Sequence, residues 1–491
     1  MSGWPMATAP GCVGRVGQGV LLGAELIFDA DTRAPVQPVA GDDLADHVAV
    51  FGTRPPTMGH SQILARAEQA DLRGRGGAFF PMARKWRTAL AAAESGREVV
   101  VVCNAAEGEP ASVKDVALLL RRPHLALDGL HCAAEALGAS TAVVWIHQGS
   151  AALAGLRRAV AERRAAGWLE PPVRIVTGPP GYLSGEGTAV VGALNGGPAV
   201  PVFLGRPSAQ GGLDGRPTVV QNVETLARLA LLARSASPDD QPGVLVSVLT
   251  ADPAGRRLLA ARELPGTATI TAAVTDEHWS RQPLPRAILV GGFGGRWMRW
   301  DAASALTLGE VTRPASGDAG TVSIGAGILA PIPRGRCGVS ETAAVMSYLA
   351  EESAGQCGPC VFGTRALAQI WARLARGKAH RSDLARLAEL EPEMAGRGAC
   401  RLPDAAVGMS RSALEVFAFD VGRHATGLTC AADPAEAALP LPAVRMAHPW
   451  SGGRVAARTI ADRPTVGPVG ASSPASSPAA RTPWRPAVRW T

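Results

Sequence analysis

"REVVVVCN", residues 97–104, is the stretch on which the fold turns. Its four consecutive valines do not alternate with polar residues, so the strand they predict is buried on both faces, as a strand inside a parallel sheet is. Working outward, "HLALDGLHCAAEALGA" predicts a helix, "TAVVWIH" a strand, "ALAGLRRAVAERRAAGW" a helix and "PVRIVTG" a strand. A helix-like stretch, "HSQILARAEQADL", comes before them. Strands alternating with helices predict an α/β domain, its parallel sheet covered on both faces, over residues 61–235. Ligands bind beyond the carboxyl ends of strands in such sheets. That directs attention to "CNAAEGEPASVKD", residues 103–115, where Asn104 can donate and accept and where Glu107 and Glu109 can accept from hydroxyls or an amide. The plainer reading is that these are solvated loop acids.

The texture changes after "SASPDDQPG", residues 235–243, which reads as a linker. "GVLVSVLTA", "TATITAAV" and "RAILVGGFGGRW" predict short strands of a small β-rich domain over 243–329. From Ser340 the pattern is helical up to about residue 430. The segment 1–60 is mixed and punctuated by Gly and Pro. The final stretch, 431–491, holds ten prolines and "ASSPASSPAA", and is expected to be disordered. Seven arginines against Asp433, Glu436 and Asp462 make that tail basic and leave the body near neutral within a net charge of +7. It reads as a solvated extension or as a docking arm for an acidic partner or an anionic membrane surface. Nothing in the fold pattern supports nucleic-acid binding. No apolar run approaches the ~20 residues needed to span a bilayer. "GVLLGAELIF" is broken by Glu25, so no signal peptide is expected and the chain is assigned to the cytoplasm. In that compartment the eight cysteines are read as thiols or metal ligands.

"EESAGQCGPC", residues 351–360, sets Cys357 and Cys360 three apart in a Gly/Pro loop. A zinc site would need two further ligands at tetrahedral spacing, and no second CxxC or HxxxH is present. A thioredoxin-like pair would follow a strand, whereas this one follows a helix. An iron–sulfur cluster takes thiolates from a tight loop plus a distant one, and Cys400, in "GRGACRLPDAA", qualifies as the distant one. The bland alternative is that these are small buried apolar residues. A separate glycine stretch, "LRGRGGAFFPMARKW", residues 72–86, is a weak dinucleotide fingerprint. It follows a helix, and Phe79 stands at the third glycine position. It still offers backbone N–H groups to a phosphate, with Arg73, Arg75 and Lys85 nearby to balance charge.

"ESAGQCGPCVFGT", residues 352–364, resembles the cluster loop of the NADH-binding flavoprotein subunit of respiratory complex I, a subunit type shared with NAD-linked hydrogenases and formate dehydrogenases. The resemblance extends over residues 12–430. It assigns Cys357, Cys360 and Cys400 to three of the four ligands of a [4Fe–4S] cluster and puts Ala354 where the first ligand should be. Cys337, a water or a small thiol would then complete the set, or the cluster would hold three irons. The glycine loop, with Gly74, Arg75, Gly76, Gly77, Phe80 and Lys85, corresponds to the family's FMN-binding loop. "CNAAEGEP" corresponds to a family pattern that has Asp in place of Ala106. "GYLSGEGTA", residues 181–189, matches at Tyr182, Gly185 and Glu186, with Gly187 replacing an acid. "RPTVVQNVETLA", residues 216–227, matches at Asn222 and Thr225, with Gln221 replacing Asn. The resemblance implies a Rossmann-like FMN-binding domain, a small β-grasp (SLBB-type) domain and a C-terminal helical bundle carrying the cluster.

It also implies a function. NADH would give a hydride to FMN, and electrons would leave singly through the cluster to a ferredoxin-like or complex-I-like redox partner, with peripheral membrane association open to it. The departures bear on NADH. Phe80 and Glu109 match expected contacts, but Thr88 stands for an aromatic, Gly187 for an acid and Leu204 for a lysine, with Arg206 as a stand-in. Together the losses would weaken NADH binding by about 2–4 kcal/mol. A relay or flavin-binding scaffold fed by another donor is the alternative.

Overall fold

The structure, a computed structural model, describes residues 19–94, 96–203, 206–237, 242–312, 323–430 and 438–442. The described strands are β1 (Leu26–Asp29), β2 (Val100–Ala105), β3 (Ala142–His147), β4 (Val173–Gly178), β5 (Thr218–Asn222), β6 (Val244–Ala251), β7 (Arg257–Leu264), β8 (Ala287–Val290), β9 (Arg296–Arg299) and β10 (Ile328–Ile332). They make two sheets.

The first sheet runs in the order β4-β3-β2-β5 and is parallel throughout, as the valine run predicts. Both faces of β2 are covered. Val101, Cys103 and Ala105 join the core that holds Leu130 and Leu226, while Val100 and Val102 pack with Val190 and Val191. Helices Pro123–Leu137 and Val223–Arg234 cross where a Cβ on Gly129 would lie 1.8 Å from the Leu226 carbonyl oxygen, a contact only glycine permits. Strand β5 is the edge the sequence reading did not single out. It carries Gln221 and Asn222 to the carboxyl end of the sheet beside Asn104 of β2.

The second sheet runs β1-β7-β6-β10-β8-β9 and is mixed, with β10 parallel to β6 and the other pairs antiparallel. One expectation is corrected here. "TATITAAV" is not a strand: Ile270–Val274 is a helix, capped by the Thr269 hydroxyl, which accepts from Ala272 N at 3.1 Å. Its buried residues, Ile270, Ala273 and Val274, have helical spacing, which overrides the β-propensity of Thr and Ile. Within the N-terminal segment, β1 pairs with β7. Strand β7 is rich in Leu, Ala, Arg and Glu, and is held by eight residue pairs to β6 across a turn whose Gly255 has φ +84°.

Beyond β10 come helices Gly338–Glu351, Arg365–Ala375, Asp383–Met394, Leu402–Val416 and Ala418–Ala425. Buried Trp371 ties them internally, its Nε1 donating to Ser410 Oγ at 3.0 Å. Trp297 of β9 joins them to the second sheet: its backbone N–H donates to Ser412 Oγ at 3.1 Å and its ring lies edge-on to Phe417. Most of the predicted tail lies outside the described residues. Its described part, 438–442, departs from the expected disorder. Leu439 is fully buried, and the N–H groups of Ala438 and Leu439 donate to the Glu341 carboxylate at 2.7 and 3.2 Å. A buried carboxylate needs such donors, which fixes the segment.

Candidate functional site

A cavity of about 790 Å³ opens beyond the carboxyl ends of the parallel sheet. Four sequence blocks converge on it. The glycine loop supplies Arg75, Gly76 and Gly77; the loop after β2 supplies Asn104, Glu107 and Glu109; Tyr182, Gly185 and Glu186 come from the third block and Asn222 from the fourth. Cys400 lines the same cavity. The blocks are stitched by polar contacts. Asn104 Nδ2 donates to the Gly185 carbonyl at 2.7 Å, and Arg75 N donates to Thr225 Oγ1 at 2.9 Å. Asn222 Oδ1 caps the Val223–Arg234 helix by accepting from Glu224 N at 2.9 Å. Close backbone approach explains two glycines. A Cβ on Gly108 would lie 2.5 Å from the Gly181 carbonyl oxygen, and one on Gly185 would lie 2.9 Å from that of Ala106. Phe79, at the missing third glycine, adopts φ +47°, the left-handed conformation a glycine takes without cost.

The acids divide into two kinds. Glu107 is committed to structure, accepting from Asp115 N at 3.1 Å and Val116 N at 2.9 Å at the start of helix Lys114–Arg121. Glu186 is likewise a helix cap, accepting from Thr188 N at 2.8 Å. Glu109 is different. Its Oε2 accepts from Phe293 N at 3.1 Å, and its buried Oε1 has no hydrogen-bond partner. Burial pushes its carboxyl up to about 7. Tyr182 lies against it, and the Tyr182 ring meets Tyr348 of helix Gly338–Glu351 edge-on at 5.9 Å.

The sequence reading missed a buried charge network at the cavity wall. Lys114 Nζ lies 2.7 Å from Asp115 and 3.0 Å from Glu224, and Arg228 lies 2.8 Å from Glu224. Burial alone would raise Glu224, but Lys114, Arg228 and Arg75 outweigh it and hold Glu224 at about 2. Burial raises Asp115 to about 6 against the pull of Lys114. Lys114, Asp115 and Glu224 all lie inside the quoted blocks. Their signal was a Lys-Asp pair and a Glu next to motif residues, which spacing alone cannot place inside or outside. The second sheet also contributes, through Gly291, Gly294, Gly295 and Arg296.

Several expected residues are placed elsewhere. Arg73 forms a surface pair with Asp71 at 2.9 Å, and Lys85 donates to the Val220 carbonyl at 2.9 Å, so of the three cations only Arg75 lines the cavity. Phe80 is 44% exposed, with the Arg84 guanidinium over its ring, and is not among the lining residues. Gly74 donates to the Phe80 carbonyl and shapes the loop from behind. Gln221 is buried in β5. Thr88 donates to the Arg84 carbonyl in its own helix, and Arg206 packs against Gly211. Leu204 lies outside the described residues.

Cys357 and Cys360 flank the start of a π-helical turn, Pro359–Thr364, a geometry that recurs at functional sites. Cys360 and Cys357 lie within hydrogen-bonding reach, Ser353 contacts Cys360, and Cys400 is close enough to act on its charge. Burial pushes Cys360 up to about 12. Ala354 is buried in the same loop, just before Gly355 at φ +63°. Cys337, offered above for the fourth position, is turned toward His424, its Sγ 3.5 Å from Nε2.

The Nuo51 FMN-binding domain model matches residues 67–231, and the NADH-ubiquinone oxidoreductase-F iron-sulfur binding region matches residues 340–424. The second F subunit of NADH-quinone oxidoreductase from Rhizobium meliloti is 31% identical over 394 residues, covering 75% of this chain and 90% of the relative. The chain belongs to the NADH-quinone oxidoreductase F-subunit family. The F subunit from Streptomyces coelicolor is 29% identical, covering 77% of this chain and 86% of that protein. A crystal structure of NAD+-reducing [NiFe]-hydrogenase in the H2-reduced state superposes with a TM-score of 0.64 at 27% identity, covering 80% of this chain and 68% of that one. The cavity of this F-subunit family member fits FMN. Its volume suits a cofactor, its glycines let backbone approach the ligand, and the Glu109 Oε1 left without a protein partner can accept from it.

Proposed function

We propose that this member of the F-subunit family is an NADH-oxidising flavin and iron–sulfur oxidoreductase. The observation that carries the reading is that Cys400 lines the same cavity as the glycine loop, Asn104 and Glu109. Bound there, FMN would take two electrons as hydride from NADH and release them one at a time. The chain's own residues have separate tasks. Arg75, Gly76, Gly77 and Asn222 would hold the flavin. Glu109 would accept from an amide or hydroxyl, and Tyr182 would hold Glu109. Cys357, Cys360 and Cys400 would hold the cluster, with Gly185 and Glu186 shaping the wall. Tyr348 meets both Tyr182 and Phe293 edge-on, which links the cavity wall to the helix Gly338–Glu351.

The mixed sheet, with short helices such as Ile270–Val274 packed on it, supports the β-grasp reading of 243–329, and the helices from Gly338 onward support a bundle around the cluster. The division at residues 61, 235, 243, 329 and 340 is our reading of composition. Electrons would pass to a ferredoxin-like or complex-I-like partner protein in the cytoplasm. Among the described residues no helix is long and apolar enough to cross a membrane. The placement of Phe80 and Arg206 away from the cavity favours a second reading, a relay that takes electrons from another donor.

The test is an anaerobic visible absorbance spectrum before and after one equivalent of NADH. Immediate bleaching of the flavin bands supports NADH oxidation. Bleaching by dithionite alone would establish the relay instead.

A further inference from the structure

Away from the cavity, three metal-binding side chains meet. Cys337 Sγ, His424 Nε2 and Cys430 Sγ all lie within 4.8 Å of one another. We infer that they form a thiolate–imidazole site for a zinc ion, separate from the iron–sulfur cluster. The cluster region that matches the family spans 340–424, so Cys337 and Cys430 fall outside it.

The histidine is set for ligation. Its Nδ1 donates to the Leu374 carbonyl at 2.9 Å, which places the lone pair on Nε2. Nε2 accepts the Cys430 N–H at 3.1 Å and faces both sulfurs, at 3.5 Å from Cys337 and 3.3 Å from Cys430. Zinc–sulfur bonds of about 2.3 Å and zinc–nitrogen bonds of about 2.0–2.1 Å at a tetrahedral angle imply an S···N edge of about 3.5 Å. The observed sulfur–nitrogen spacings already match that edge, and metal entry would displace the Cys430 N–H from Nε2. Cys337 and His424 are buried and Cys430 is half-buried, and among the described residues these three are the ligands the site offers. Asp420, one turn before His424, is held by Arg286 at 2.5 Å. Binding would release the two thiol protons to solvent and change no oxidation state. A Cys337–Cys430 disulfide would need an oxidant.

The site would act as a clip. Cys337 caps the helix Gly338–Glu351 that leads into the cluster loop, and His424 and Cys430 lie at and just beyond the end of the helix Ala418–Ala425.

The experiment is metal analysis and zinc-edge X-ray absorption on the full chain, purified anaerobically with its flavin and iron from zinc-supplemented growth. The expected result is stoichiometric zinc with two sulfurs and one nitrogen in its shell. Cys430→Ser and His424→Ala should each lower zinc about tenfold or more, with iron and flavin contents unchanged, and Cys357→Ser should leave zinc in place. Because the spectrum is read on the unaltered chain, misfolding of a variant cannot decide the matter. A shell of three sulfurs without nitrogen, which is zinc in the cluster site, would overturn the proposal. So would absence of zinc, zinc retained by Cys430→Ser, or a Cys337–Cys430 disulfide in protein prepared without oxidant.

Discussion

The backbone N–H of Arg75 donates to the Thr225 hydroxyl at 2.9 Å, so the glycine loop is tied to a helix 150 residues further along the chain. The loop's shape is therefore imposed from outside. Thr225→Val removes the acceptor while keeping the volume, and is expected to weaken FMN binding by about 1–2 kcal/mol, roughly tenfold, while Thr225→Ser retains it. Flavin fluorescence titration reads both, and equal affinities for the Val and Ser variants would show that the hydroxyl plays no part.

Glu109 links stability to pH. Its carboxyl is raised by burial to about 7 from an ordinary value of 4.5. The folded flavin-free protein thus favours the protonated form, so this contribution is fully present below pH 4.5 and is lost as pH rises through about 7. Its ceiling is on the order of 3 kcal/mol. Glu109→Gln should flatten that part of the dependence and gain on the parent at pH 8 but not at pH 5. Urea midpoints at the two pH values test this; an unchanged difference between them in the variant would assign the dependence elsewhere.

Ala354 is buried in the cluster loop where the family pattern has a thiolate. A cluster with three cysteine ligands exposes one iron to solvent, so iron should be lost during aerobic purification. Ala354→Cys is expected to slow that loss several-fold and shift the reduction potential. Iron content followed over time decides it. Identical loss curves would mean that another group already fills the position.

A Cβ added at Gly187 would meet nothing within 4 Å, and Gly187 is the first residue of its helix, where an acid is favoured by the helix dipole. Gly187→Glu should therefore fold normally. If the pocket binds NADH, the variant should lower KM about tenfold with kcat little changed. No effect on steady-state kinetics would indicate a pocket shaped for another donor.

The four valines from Val99 to Val102, taken with the strands and helices that alternate after them, predicted a doubly covered parallel strand, because β-branched residues favour strands and crossover helices cover both faces. The four motif blocks and the Cys357–Cys360 pair could be picked out in the sequence because their spacing is local, whereas Cys400 was assigned to that pair only through the resemblance. Tertiary structure alone decided which neighbours of those motifs face the cavity. Arg73 and Arg75 are two residues apart, yet one pairs with Asp71 at the surface and the other lines the wall. Lys114 and Glu224 are distant in sequence and become a buried ion pair. Cys337, His424 and Cys430 carry no recognisable spacing and meet only because the last helix folds back onto the helix that Cys337 begins. A sequence period reports which face of an element is apolar; which charged or metal-binding side chains meet depends on contacts between elements far apart in the chain, for which no local pattern exists.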